Sequence, residues 1–240
     1  MSDVMGRAHP SPRRPMFRLP MRVDAAGFGG QLLFAVPCLL AAALALATYA
    51  PRGVEAGIGM AVGAAVVVAM AQTQTLAARP RLLEPMFDGV DRMCRVHEWL
   101  GISALALMIL HDQFEPNFER RGRETRLGAL ASDAGEVVFN ALLVLIAISW
   151  FRRLPFIGLE IPYHLWRFTH RFMGAPFAIV VFHQAFVDLP AGVDPSLSVL
   201  LNTFGLAGLI AWVHTEVIAP RLRLRAYLVS RISLQGIPPR

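Results

Sequence analysis

Apolar and polar residues in this chain segregate over whole segments. Six stretches are almost continuously apolar, at about Gly29–Ala50, Val54–Ala77, Val96–His111, Glu136–Phe151, His164–Val187 and Ser196–Ala219. A helix needs roughly 20 mostly apolar residues to cross the hydrocarbon core, so the pattern predicts six transmembrane helices. Pro51, Pro80, Pro116, Pro155, Pro190 and Pro220 fall between or just after the stretches, where a missing N–H does least harm. Pro176 is the exception, set inside the fifth span beside Gly174. The predicted fold is therefore all-α, a six-helix transmembrane bundle occupying residues 29–219. Residues 1–28, rich in Arg and Pro and without a small-residue cleavage site, read as a disordered basic cytoplasmic tail. Residues 220–240 read as a second tail on the same side.

Composition agrees with the pattern. Of 240 residues 55% are hydrophobic and 17% charged, where soluble domains carry about 25% charged residues. No soluble domain of ordinary size fits beside the spans. All 23 basic residues are arginine, and they are interleaved with the spans instead of gathered on one face, which argues against a nucleic-acid partner. With the N-terminus inside, 18 of the 23 arginines lie in inner segments and 5 in outer loops. Four of those five lie in "DQFEPNFERRGRETRLGALASDAGE", which holds six acids and is net acidic. The positive-inside rule then gives an N-in, C-in, multi-pass protein of the cell inner (plasma) membrane. Cys38 and Cys94 have no paired spacing and no CxxCH motif, so cysteine chemistry is not expected.

The chemistry is suggested by histidine. Four of the seven histidines open and close two apolar runs, "HEWLGISALALMILH" from His97 to His111 and "HRFMGAPFAIVVFH" from His170 to His183. Ring nitrogens inside a membrane need partners, so such placement calls for an explanation. Spans three and five both run from inside to outside, which puts His97 and His170 near the inner face and His111 and His183 near the outer. Fourteen helical residues rise about 21 Å and thirteen about 20 Å, so each pair nearly crosses the hydrocarbon core. At about 100° per residue, fourteen positions return to within about 40° of one face, whereas thirteen miss by about 140°. A kink at Gly174 and Pro176 is a recognised way to restore that alignment. With spans three and five together, two His–His layers form, and paired neutral imidazoles are axial ligands for haem iron. Without CxxCH the haem would be b-type. Interfacial histidines bonded to backbone or to one another are the alternative. A metal-ion site would lack the further ligands that zinc prefers.

The run "RPRLLEPMFDGVDRMCRVHEWLG", the His97/His111 pair, and the His170/His183 pair after "YHLWRFTHR" resemble the ferric reductase transmembrane domain family, which includes ferric reductases and NADPH oxidases. The resemblance covers roughly residues 25–225. It implies two b haems between spans three and five, the inner on His97 and His170 and the outer on His111 and His183. Arg95, Arg167 and Arg171 flank the inner layer, where they would pair with haem propionates or anchor the inner face. Phe177 lies midway and would stand between the macrocycles, or be an ordinary core or lipid-facing phenylalanine. Glu98 and Asp112 read as interface residues first and proton or substrate contacts second, His164 as a companion of the interfacial Tyr163 and Trp166, and His214 as a span-six histidine without a paired partner or as a contact of a haem edge or propionate. His9 belongs to the tail.

Relatives continue past span six into a cytoplasmic FAD and nicotinamide domain. This sequence ends at "RLRLRAYLVSRISLQGIPPR" with no phosphate-cradling glycine loop, although "AYLVSRISLQG" alternates like the first strand of such a domain. The expectation is a truncated longer enzyme or a membrane subunit served by a separate flavin reductase, without FAD or NAD(P)H sites of its own. The expected role is electron transfer from a cytoplasmic flavin/NAD(P)H donor to ferric iron, oxygen or a periplasmic redox partner. The competing reading is a non-redox transporter or scaffold whose histidines relay protons or pack.

Overall fold

A computed structural model describes residues 25–114, 125–150, 161–189 and 195–223. Eight α-helices follow one another: α1 (Ala25–Tyr49), α2 (Val54–Ala77), α3 (Val90–Gln113), α4 (Arg126–Trp150), α5 (Tyr163–Arg171), α6 (Gly174–Phe186), α7 (Pro195–Val213) and α8 (Ala219–Arg223). A π-helical turn, His214–Ile218, joins the last two. There is no strand among the described residues. The strand anticipated in "AYLVSRISLQG" lies outside them, as do residues 1–24 of the predicted tail.

Among the described residues five helices are long and apolar enough to cross a membrane: Gly30–Arg52, Val54–Ala77, Val90–Gln113, Arg126–Ser149 and Pro195–Arg221. The fifth predicted span is built differently. It is two helices, α5 and α6, interrupted at Phe172 and Met173 immediately before Gly174. Proline at the third position of α6 lacks the N–H that a continuous helix would use, and glycine two residues before it permits the bend.

Helix α2 is the hub, with 67% of its most apolar window buried, against 17–22% in the other spans. It packs on α1, α3 and α7, while α4 packs on α6. Between like-apolar surfaces in lipid, close van der Waals contact is the main attraction, and small side chains permit it. The run "GIGMAVGAA" in α2 supplies them. A Cβ on Gly57 would meet Ala50 at 2.8 Å. A second cluster of Phe34, Leu76, Phe87, Met93 and Val96 seals the end where α1, α2 and α3 meet. Phe87, in a short 3-10 turn before α3, stacks 5.6 Å from Phe34 and so sets where α3 begins.

Helix α4 starts ten residues earlier than the apolar pattern predicts. Thr125 is its N-cap: the hydroxyl accepts from the Gly128 N–H at 2.9 Å. Asp188, just after α6, accepts from the Thr125 N–H at 2.7 Å and its hydroxyl at 2.9 Å. The carboxylate thus ties the end of α6 to the start of α4. Hydrogen bonds to a charged acceptor contribute about 1.5–3 kcal/mol each in favourable cases, and less when partly solvated as here. Asp188→Ala is expected to lower the thermal midpoint in detergent by about 2–6 °C. Thr125→Ala should do likewise, and the double variant should lose less than the sum of the two. Strict additivity would mean the two residues act separately.

Candidate functional site

Each of the four predicted histidines is braced through Nδ1 by the helix behind it. His97 on α3 reaches the Thr73 carbonyl of α2 at 3.0 Å, and His111 reaches the Gly59 carbonyl of the same helix at 2.8 Å. His183 on α6 reaches the Ala131 carbonyl of α4 at 2.8 Å. His170 on α5 lies 3.2 Å from the Ser149 hydroxyl of α4. A carbonyl can only accept, so in three of the four rings the proton sits on Nδ1. The Ser149 hydroxyl gives its own proton to the Leu145 carbonyl at 2.8 Å, so it too accepts from the ring. All four imidazoles therefore adopt the tautomer that carries its lone pair on Nε2, the arrangement of a metal-ligating histidine with an oriented ring.

The break between α5 and α6 brings two histidines thirteen residues apart against the same helix. A straight helix would turn His170 and His183 to different sides, but here both face α4. His97 and His170 come together at one end of the bundle, with ring centroids 6.2 Å apart and planes at 74°. Two imidazoles sharing one metal through bonds of about 2.0–2.1 Å need about that separation, once the ring radii are added. His111 and His183 stand at the far ends of α3 and α6.

Glycine makes room for each of these two rings. A Cβ on Gly63 would meet the His111 ring at 2.8 Å, and one on Gly135 would meet His183 at 2.6 Å. The two seats share a register. Gly59 and His111 are 52 positions apart, as are Ala131 and His183, and in each case the glycine seat follows the bracing carbonyl by one helical turn. The α2–α3 pair and the α4–α6 group thus hold an imidazole in the same way.

The remaining predicted residues separate. Phe177 is fully buried, packed where a Cβ on Gly208 of α7 would meet its ring at 2.7 Å. The Arg171 guanidinium pairs with Glu216 on the π-helical turn. Arg95, Arg167, His164 and His214 are exposed. Two buried polar atoms, Gln184 Oε1 beside His183 and Trp212 Nε1 against Gly174, have no hydrogen-bond partner in the described structure. Sequence reasoning did not single out Ser149, Gly63, Gly135 or Glu216. Only the repeated register of carbonyl, glycine and histidine would have exposed the two glycines.

These features define a multi-pass helical membrane protein with braced imidazoles at both ends of its central helices. The chain matches the family described as ferric reductase like transmembrane component over residues 59–182, just over half its length. It belongs to that family. The matched region includes His97, His111 and His170 and ends one residue before His183. No curated protein matches the chain.

Proposed function

We propose that the protein carries electrons across a membrane through two b-type haems, each held by two histidines. The observation that carries this reading is the common bracing of the four rings, which directs a lone pair from every Nε2, together with the 6.2 Å separation of His97 and His170. His97 and His170 would hold one iron, and His111 and His183 the other. Bound there, haem supplies reversible one-electron chemistry. Held by two imidazoles each, the haems would supply electron transfer and not substrate binding.

By the arginine bias the His97/His170 tier would face the cytoplasmic side of the plasma membrane and the His111/His183 tier the outer side. Exposed Arg95 and Arg167 would give the inner tier a positive border suited to haem propionates. Arg171 would contribute beside its pairing with Glu216, and Phe177 would stand between the tiers. The donor is a cytoplasmic flavin, because nicotinamides give electrons in pairs and a haem takes one. FAD would sit on a separate reductase or a covalently continuous domain. The acceptor outside would be ferric iron, oxygen or a periplasmic redox partner.

The purified chain is expected to show reduced-minus-oxidised bands of low-spin b haem and a pyridine haemochrome content of two per chain. Dithionite should reduce both haems, NADPH alone neither, and NADPH with a flavin reductase both. A well-folded, haem-free preparation would overturn the reading in favour of a non-redox transporter or scaffold.

A further inference from the structure

We infer that Ser149 is the positioning residue of the inner haem and sets its potential through His170, an inference that rests on the haem assignment above. Three of the four imidazoles lean on backbone carbonyls; His170 alone leans on a side chain. By register the carbonyl equivalent to Thr73 is Leu145, since Leu145 follows Ala131 as Thr73 follows Gly59. In α4 that carbonyl does not meet the ring directly. The Ser149 hydroxyl stands between them, donating to Leu145 at 2.8 Å and accepting from His170 at 3.2 Å.

Ser149 also holds the neighbour of that ring. Its carbonyl accepts the Trp166 indole N–H at 3.1 Å, and the indole stacks on His170 with centroids 5.2 Å apart and planes within 7°. One residue at the end of α4 therefore orients both rings of α5. The break before α6 frees α5 from the helical register, so this clasp replaces the continuity that fixes His97 on α3.

A stronger acceptor on Nδ1–H makes an imidazole more electron-donating and favours the oxidised iron. Removing the Ser149 hydroxyl leaves His170 without its acceptor and weakens that donation. The test is a spectroelectrochemical titration of haem-loaded full chain carrying Ser149→Ala, Ser149→Thr or no substitution. In Ser149→Ala one midpoint should rise while the other stays at its wild-type value. Ser149→Thr, which keeps a hydroxyl, should titrate like wild type. An unchanged midpoint in Ser149→Ala would overturn the inference. So would a lowered one, because the Leu145 carbonyl would then serve the ring as well or better. If Ser149→Ala fails to retain one haem, retention at the wild-type midpoint in Ser149→Thr supports the role, and loss in both variants overturns it. Absence of haem from the wild-type chain would defeat the functional reading, a separate result.

Discussion

Alanine at His97 or His170 is expected to lower the haem content from two to one per chain and to leave the remaining haem with its wild-type spectrum. His111→Ala and His183→Ala should do the same for the other haem. Each ring is committed through Nδ1 to a neighbouring helix, so no second side chain stands ready to take its place. If two histidines hold each haem, loss of one would remove half of the protein's bonds to that iron, a larger effect than any alteration of the surroundings. His164→Ala and His214→Ala should keep both haems, because those side chains are exposed. Pyridine haemochrome quantitation with low-temperature difference spectra distinguishes the outcomes. Loss of a haem from His164→Ala, with both retained in His170→Ala, would mean that the register on α5 has been assigned wrongly.

The second large effect comes from residues with no chemistry of their own. Gly135→Ala puts a methyl group 2.6 Å from His183 Nδ1, and Gly63→Ala puts one 2.8 Å from the His111 ring. Contacts that close push the imidazole off its carbonyl, and overpacking of this kind costs about 1–3 kcal/mol. Either variant should lower occupancy of the His111/His183 site while sparing the His97/His170 site. If both variants bind two haems as the wild type does, the glycines are not seats for the rings.

Histidine was legible because a titratable ring in an apolar run is conspicuous, and the positions of His97, His111, His170 and His183 follow from the sequence. The interruption of the fifth span was half legible. Gly174 and Pro176 pointed to a bend, but its place at Phe172 and Met173 depends on how α5 docks against α4 through Ser149 and Trp166. The start of α4 was not legible, since residues 126–135 look like a polar loop until Asp188, far along the chain, is seen to hold the Thr125 cap. Gly63 and Gly135 were hidden for a different reason. Glycine is common in membrane helices, and only the ring opposite it distinguishes a seat from ordinary close packing. Ser149 at the end of a span reads as an unremarkable boundary residue until its three hydrogen bonds are seen.

The divided fifth span has one more consequence. On α3 the two histidines share an unbroken ruler, so one residue gained or lost between them would swing one ring about 100° from the other. On α5 and α6 the two rings hang from separate rods joined by a short hinge, and each rod takes its bearing from α4. A change of length is thus costly to the pairing along α3 and tolerable at the hinge between α5 and α6.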